Sequence, residues 1–67
     1  MDEQLHSLTR RLIELRMEHA DLNAAIDRMA AQTPLDELAV QRLKKRRLAL
    51  RDMIARLEAD IAPDEFA

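Results

Sequence analysis

Two heptad patterns of apolar residues run along the chain. In the first, apolar residues recur at alternating intervals of three and four, the spacing that keeps one face of a helix apolar. The positions of this first seam are Leu5, Leu8, Leu12, Leu15, His19, Leu22, Ile26 and Met29. Only one of these residues, His19, is polar. The pattern predicts a helix over about residues 2–31.

A second seam with the same spacing follows a short interruption. Its positions are Val40, Leu43, Arg47, Leu50, Ile54, Leu57 and Ile61, of which only Arg47 is polar. Thr33 is a favourable N-cap residue, and Pro34 is tolerated in a first helical turn, where its missing N–H is not needed. Pro63 should end the helix. The sequence therefore predicts a turn at 32–33, a second helix over about 34–62 and a short tail over 63–67.

Two helices of similar length, joined by a few residues, are expected to fold back antiparallel. A bend near Thr33 places residues whose numbers sum to about 66 at similar heights, with about three residues of slip. The two polar seam residues, His19 and Arg47, would then share one layer. The predicted fold class is all-α, a coiled-coil-like antiparallel two-helix hairpin, with a single domain spanning residues 1–67.

Each predicted helix carries a second, weaker apolar stripe behind its seam. On the first helix the stripe comprises Ile13, Met17, Ala20, Ala24 and Ala31. On the second it comprises Leu38, Leu48, Ala55, Ala59 and Ala62, and Lys45 and Asp52 interrupt it. A lone hairpin would leave both stripes in water, so the pattern predicts self-association into a four-helix bundle or a larger array. The choice between a dimer, a tetramer and a hexamer stays open.

The composition excludes several classes of function. The chain has no cysteine and no glycine, so it has neither a disulfide or zinc-thiolate framework nor a glycine-rich loop for phosphate. No apolar run approaches the roughly 18 residues of a membrane span. Helix capping and surface charge account for the carboxylate pairs, and the serine and threonine residues have no nearby base. We expect no enzyme activity, no catalytic residue, no cofactor, no metal, no small-molecule substrate and no membrane partner.

The most conspicuous charged feature is a basic segment over residues 42–51. It contains Arg42, Lys44, Lys45, Arg46, Arg47 and Arg51 and no acid, although the whole chain has a net charge of −2. One interpretation is an anion or partner surface that neutralises the phosphates of a nucleic acid. The other is a solvated helix face that pairs with acids of the first helix, Glu18 with Arg46 and Asp21 with the two lysines. The second interpretation is favoured, because no aromatic residues interleave with the charges to stack on bases.

His19 is the only other residue that invites a chemical role. A histidine at a packed seam could act as a pH-sensitive element. A metal site is disfavoured, since His6 lies 13 residues away, about 20 Å along the helix. The favoured interpretation is that His19 and Arg47 are polar seam residues that fix the register and the partner number.

Two strings of residues resemble a known family. They are His19-x-x-Leu22-x-x-x-Ile26 and Leu43-Lys44-Lys45-Arg46-Arg47-Leu48-Ala49-Leu50-Arg51-Asp52-Met53-Ile54. Together they resemble the YdcH-like family of small bacterial proteins of unknown function. Arg47 and Arg51 stand where the family usually has lysines, and Asn23 where an acid is common. The resemblance implies an antiparallel helical hairpin in a bacterial cytoplasm, and it brings no catalytic residue, cofactor or accepted partner.

The sequence thus favours a structural or interaction protein. It would form a homo-oligomer of helical hairpins and present charged faces to another protein. The alternative is a nucleic-acid-binding accessory protein that uses the basic segment.

Overall fold

The structure of the protein, a computed structural model, describes residues 2–61, with side chains from residue 6 onward. It contains two helices, α1 over Asp2–Ala30 and α2 over Glu37–Ile61. They pack against each other as an antiparallel hairpin, which confirms the predicted all-α fold. The side chain of Leu5, together with Ala62 and the tail over 63–67, lies outside the described residues.

The first helix ends without a glycine. Ala31 N–H donates to the carbonyl of Arg28 at 3.3 Å, and Gln32 N–H donates to that of Met29 at 3.1 Å. Both bonds span three residues, so they tighten the last turn and satisfy carbonyl groups that the helix end would otherwise leave without partners. No residue of the described chain needs a positive φ to leave the helix.

The second helix begins three residues later than the sequence predicts, and Thr33 is not its cap. Asp36 Oδ1 accepts a hydrogen bond from Ala39 N–H at 3.1 Å, and the Asp36 carbonyl accepts the first intrahelical bond, from Val40 N–H, at 3.1 Å. These two bonds define Asp36 as the N-cap. Its carboxylate also suits the positive end of the helix.

The two helices bury their seams against each other. The buried apolar side chains are Leu12, Leu15, Ile26, Val40 and Leu50. The other seam positions with described side chains are half-buried, namely Leu8, His19, Leu22, Met29, Leu43, Arg47, Ile54, Leu57 and Ile61. Three further residues beside the seams, Ala25, Ala39 and Met53, are half-buried as well. The core is therefore a single layer between two helices, and most of its members keep some contact with water.

Three side-chain pairs cross between the helices and report the register. They are Arg16 with Glu58, Glu18 with Arg46, and Asn23 with Arg47. Their residue numbers sum to 74, 64 and 70, so they scatter about a value slightly above the predicted 66. The scatter is expected, because an arginine side chain reaches a full helical turn along its neighbour.

Candidate interaction surfaces

The basic segment over residues 42–51 is partly neutralised by the first helix. Arg46 donates to Glu18 Oε2 from Nη2 at 2.8 Å and from Nε at 3.2 Å. The side chains of both residues remain about half exposed. This pair was one of those that the solvated-face interpretation predicts, and it is confirmed. One of the six positive charges therefore has an acidic partner on α1.

Arg47 bonds to a neutral side chain, so no negative charge balances its positive charge. Its Nη1 donates to Asn23 Oδ1 at 2.6 Å. The amide oxygen accepts a hydrogen bond but carries no net charge, so the guanidinium is held in place and stays positive. The arginine stem occupies a half-buried seam position while its head reaches the rim, as expected for a long amphipathic side chain.

The remaining cations of the segment divide between different sides of α2. Arg42, Lys44, Lys45 and Arg51 are exposed, and none forms an ion pair with the described part of the chain. Lys44, Arg47 and Arg51 are spaced three and four residues apart, so they share one helix face over about 10 Å. We call these three residues the cationic row. Arg42 and Lys45 point away from it, so the segment does not form one continuous basic surface.

His19 occupies a half-buried seam position. A shallow groove beside the imidazole is lined by His19, Arg51, Ile54, Ala55 and Glu58. Arg47 bonds to Asn23, which lies one turn nearer the connector than His19. The His19 Nε2 atom is buried and has no hydrogen-bond partner among the described residues. The proposed role of these residues in fixing register stays a prediction.

The two flat faces of the hairpin are crossed by polar side chains. Arg16 and Asn23 lie seven residues apart on one side of the first seam, where they meet Glu58 and Arg47. Glu18 lies on the other side of the seam, where it meets Arg46. A second shallow groove lies on that side, lined by Arg11, Leu15, Met53, Arg56, Leu57 and Asp60. Both faces therefore present charged groups above the apolar layer.

An exposed apolar surface runs along the outer edge of α1. Ile13 is 53% exposed and Met17 is 62% exposed. Ala20 and Ala24 continue the line at intervals of three and four residues and are exposed too. We call these four residues the outer stripe. On α2, Leu48 is 65% exposed, but its neighbours one turn away in both directions include Lys44, Lys45, Arg51 and Asp52.

A comparison with protein-family models places residues 12–58 in one family. The matched family is described as a protein of unknown function, DUF465. The match covers well over half of the chain. The protein belongs to the DUF465 family. This finding confirms the YdcH-like resemblance. No curated protein and no solved structure matches the chain.

The DUF465 region contains the seam positions from Leu12 to Leu57 and all three cross-helix pairs, with Arg16 and Glu58 near its two ends. Within residues 2–61, neither helix of this DUF465 protein is long and apolar enough to cross a membrane. The same part of the chain holds no group of three His, Asp or Glu side chains close enough to bind a metal ion.

Sequence reasoning missed two of the cross-helix pairs in the DUF465 region. Arg16 and Asn23 immediately flank first-seam positions, and Glu58 flanks a second-seam position, whereas Arg47 is itself a residue of the second seam. Residues beside a seam are the ones that bridge paired helices, so this placement was the available signal. The heptads fix the register only to within about three residues, and this is too coarse to choose which side chains bond to each other.

Proposed function

We propose that this protein is a non-enzymatic interaction protein, a helical hairpin that self-associates and offers its charged faces to a protein partner. The observation that carries the proposal is the outer stripe of α1. Isolated exposed apolar residues are common on soluble proteins, whereas a continuous apolar line over three helical turns favours a surface that a partner covers.

The extent of exposed surface supports the same proposal. The chain exposes 5637 Å², whereas a compact monomer of its mass exposes about 4,400 Å². The excess of about 1,200 Å² is surface that a thin hairpin cannot bury within one chain and that a partner could cover. The radius of gyration of 15.5 Å, against about 11 Å for a compact chain of this length, reflects the same elongated shape.

The experiment that tests this proposal compares two variants with the same chemical change. Met17→Glu places a charge in the outer stripe, and Leu48→Glu places one at an equally exposed site on α2. Light scattering at micromolar concentration should give a mass of at least two 7.8 kDa chains for the parent and for Leu48→Glu. Met17→Glu should give the mass of one chain with its helicity retained. A parent that has the mass of one chain refutes the proposal.

A second candidate function is nucleic-acid binding, and the cationic row favours it. Lys44, Arg47 and Arg51 have no acidic partner in the described chain, and they lie on one helix face. Positive charges in a line can neutralise successive phosphates, with an affinity that falls steeply between about 50 and 200 mM salt.

A matched pair of double variants separates this candidate from unspecific attraction. Lys44→Glu with Arg51→Glu should abolish binding to duplex DNA in a low-salt anisotropy titration. Arg42→Glu with Lys45→Glu makes the same change of charge on other sides of the helix, and it should keep most of the affinity. If the parent does not bind at low salt, this second function is excluded.

A further inference from the structure

The outer stripe of α1 has an internal order that selects a partner and an orientation. Its two large residues, Ile13 and Met17, come first along the chain, and its two small ones, Ala20 and Ala24, follow. We propose that two copies of this chain pair antiparallel through this stripe. Ile13 of each copy then lies opposite Ala24 of the other, and Met17 lies opposite Ala20. This inference rests on the self-association proposed above and specifies its geometry.

The location of exposed apolar surface favours contact along the edge of α1. All four positions of the outer stripe are apolar, although Glu14 and Asp21 lie one turn from Met17 beside the stripe. On α2, Lys45 and Asp52 interrupt the corresponding line itself, and Leu38 lies ten residues from Leu48. A partner that covers the α2 edge would have to desolvate these two charges in the middle of the contact, which costs free energy.

The cross-helix pairs argue against packing through the flat faces. Arg16 with Glu58 and Arg47 with Asn23 cross one face, and Arg46 with Glu18 crosses the other. A second hairpin laid on either face would bury these groups or break the pairs. Burying charged pairs costs desolvation free energy that their mutual attraction offsets only when the geometry is excellent. Edge-to-edge contact leaves all three pairs undisturbed.

The order of side-chain sizes sets the orientation. In an antiparallel pair centred between Met17 and Ala20, each large side chain meets a small one, so the two surfaces interlock without a void. In a parallel pair, Ile13 and Met17 would meet their own counterparts, while Ala20 and Ala24 would face each other across a gap. Close packing without voids favours the antiparallel arrangement.

The proposed contact has the symmetry of a dimer that closes on itself. One surface meets the same surface of a second copy about a twofold axis, so the contact is isologous and does not propagate. The stripe from Ile13 to Ala24 spans about 16 Å of helix. The contact also leaves the cationic row open to solvent, so the charged faces remain accessible to a further partner.

The absence of cysteine from the chain makes a disulfide test unambiguous. The chains Ile13→Cys and Ala24→Cys are mixed in denaturant, refolded together, oxidised and analysed by mass spectrometry. In the antiparallel pair, the sulfur atom of a cysteine at position 13 comes within bonding distance of the sulfur atom of a cysteine at position 24 in the other copy. Two cysteines that both stand at position 13 are about 16 Å apart along the helix. We therefore expect the disulfide that joins an Ile13→Cys chain to an Ala24→Cys chain to form in a much larger fraction of the dimers than random pairing would give.

A third chain, Leu48→Cys, serves as the control and should form no disulfide with either of the others. Circular dichroism on each variant verifies that the hairpin is retained. Disulfides between identical chains would show a parallel pair and overturn the inference. If light scattering shows assembly but no disulfide forms, another surface mediates assembly; the inference is then wrong, while the proposed self-association stands. A mass of one chain refutes both.

Discussion

At the scale of single residues, position relative to the seam decides burial, and side-chain type does not. Leu50 is 0% exposed, whereas Leu48, two residues earlier on the same helix, is 65% exposed. The two leucines differ only in which face of α2 they occupy. Because the core is a single layer, each fully buried leucine should contribute a large share of its stability.

Leu50→Ala should therefore lower the free energy of unfolding by about 2–5 kcal/mol, as expected for truncation of a buried leucine. Leu48→Ala removes the same atoms from an exposed site and should change the free energy of unfolding by less than about 0.5 kcal/mol. Urea denaturation followed by circular dichroism, at one fixed chain concentration, measures the free energy of unfolding of each variant. Equal losses in the two variants would contradict the assignment of the core.

His19 is the residue at which packing and polarity conflict. Its Nε2 atom is buried without a partner in the described chain, and an unpaired buried polar atom costs about 1–3 kcal/mol. His19→Leu should consequently raise the free energy of unfolding by an amount within that range. His6→Leu provides the control, since His6 is exposed. A His19→Leu chain that unfolds at lower urea than the parent would show that the imidazole has a hydrogen-bond partner in solution.

At the scale of the helices, the heptad pattern predicted the two elements and the side chains between them. Alternation of three and four residues is enough to identify a seam, and each seam position with a described side chain is buried or half-buried. The pattern could not place the start of α2, because both Thr33 and Asp36 are suitable caps and only the backbone geometry decides between them.

Removing the capping bond tests directly which of the two residues caps α2. Asp36→Ala removes the acceptor for Ala39 N–H and should lower the free energy of unfolding by about 0.5–2 kcal/mol. Thr33→Ala changes the residue that the sequence favours as cap, and it should have little effect. Thermal melts compare the stability of each variant with that of the parent. A larger loss from Thr33→Ala than from Asp36→Ala would restore the sequence-based assignment.

The candidate surfaces were only partly predictable from the sequence. The pairing of Arg46 with Glu18 follows from charge and approximate register, but that of Arg47 with Asn23 does not, since a neutral amide gives no charge signal. Long side chains choose among several neighbours within reach, and this choice depends on distances that a heptad repeat does not specify.

At the scale of the whole molecule, the hairpin is long and thin, with extents of 51 × 22 × 14 Å. A body of this shape has much surface for its volume, so a single hairpin buries only a small core. The outer stripe of α1 offers the additional apolar contact that the shape lacks. The same contact would hold two copies edge to edge and leave both flat faces, with their charged groups, free for a protein partner.

Sedimentation equilibrium on the unmodified chain, over a range of micromolar concentrations, tests self-association most directly. A self-associating hairpin should show a mass that rises with concentration to at least twice the 7.8 kDa of one chain, with helicity unchanged or increased. A mass that stays at one chain across the whole range, in a sample with full helicity, would contradict self-association.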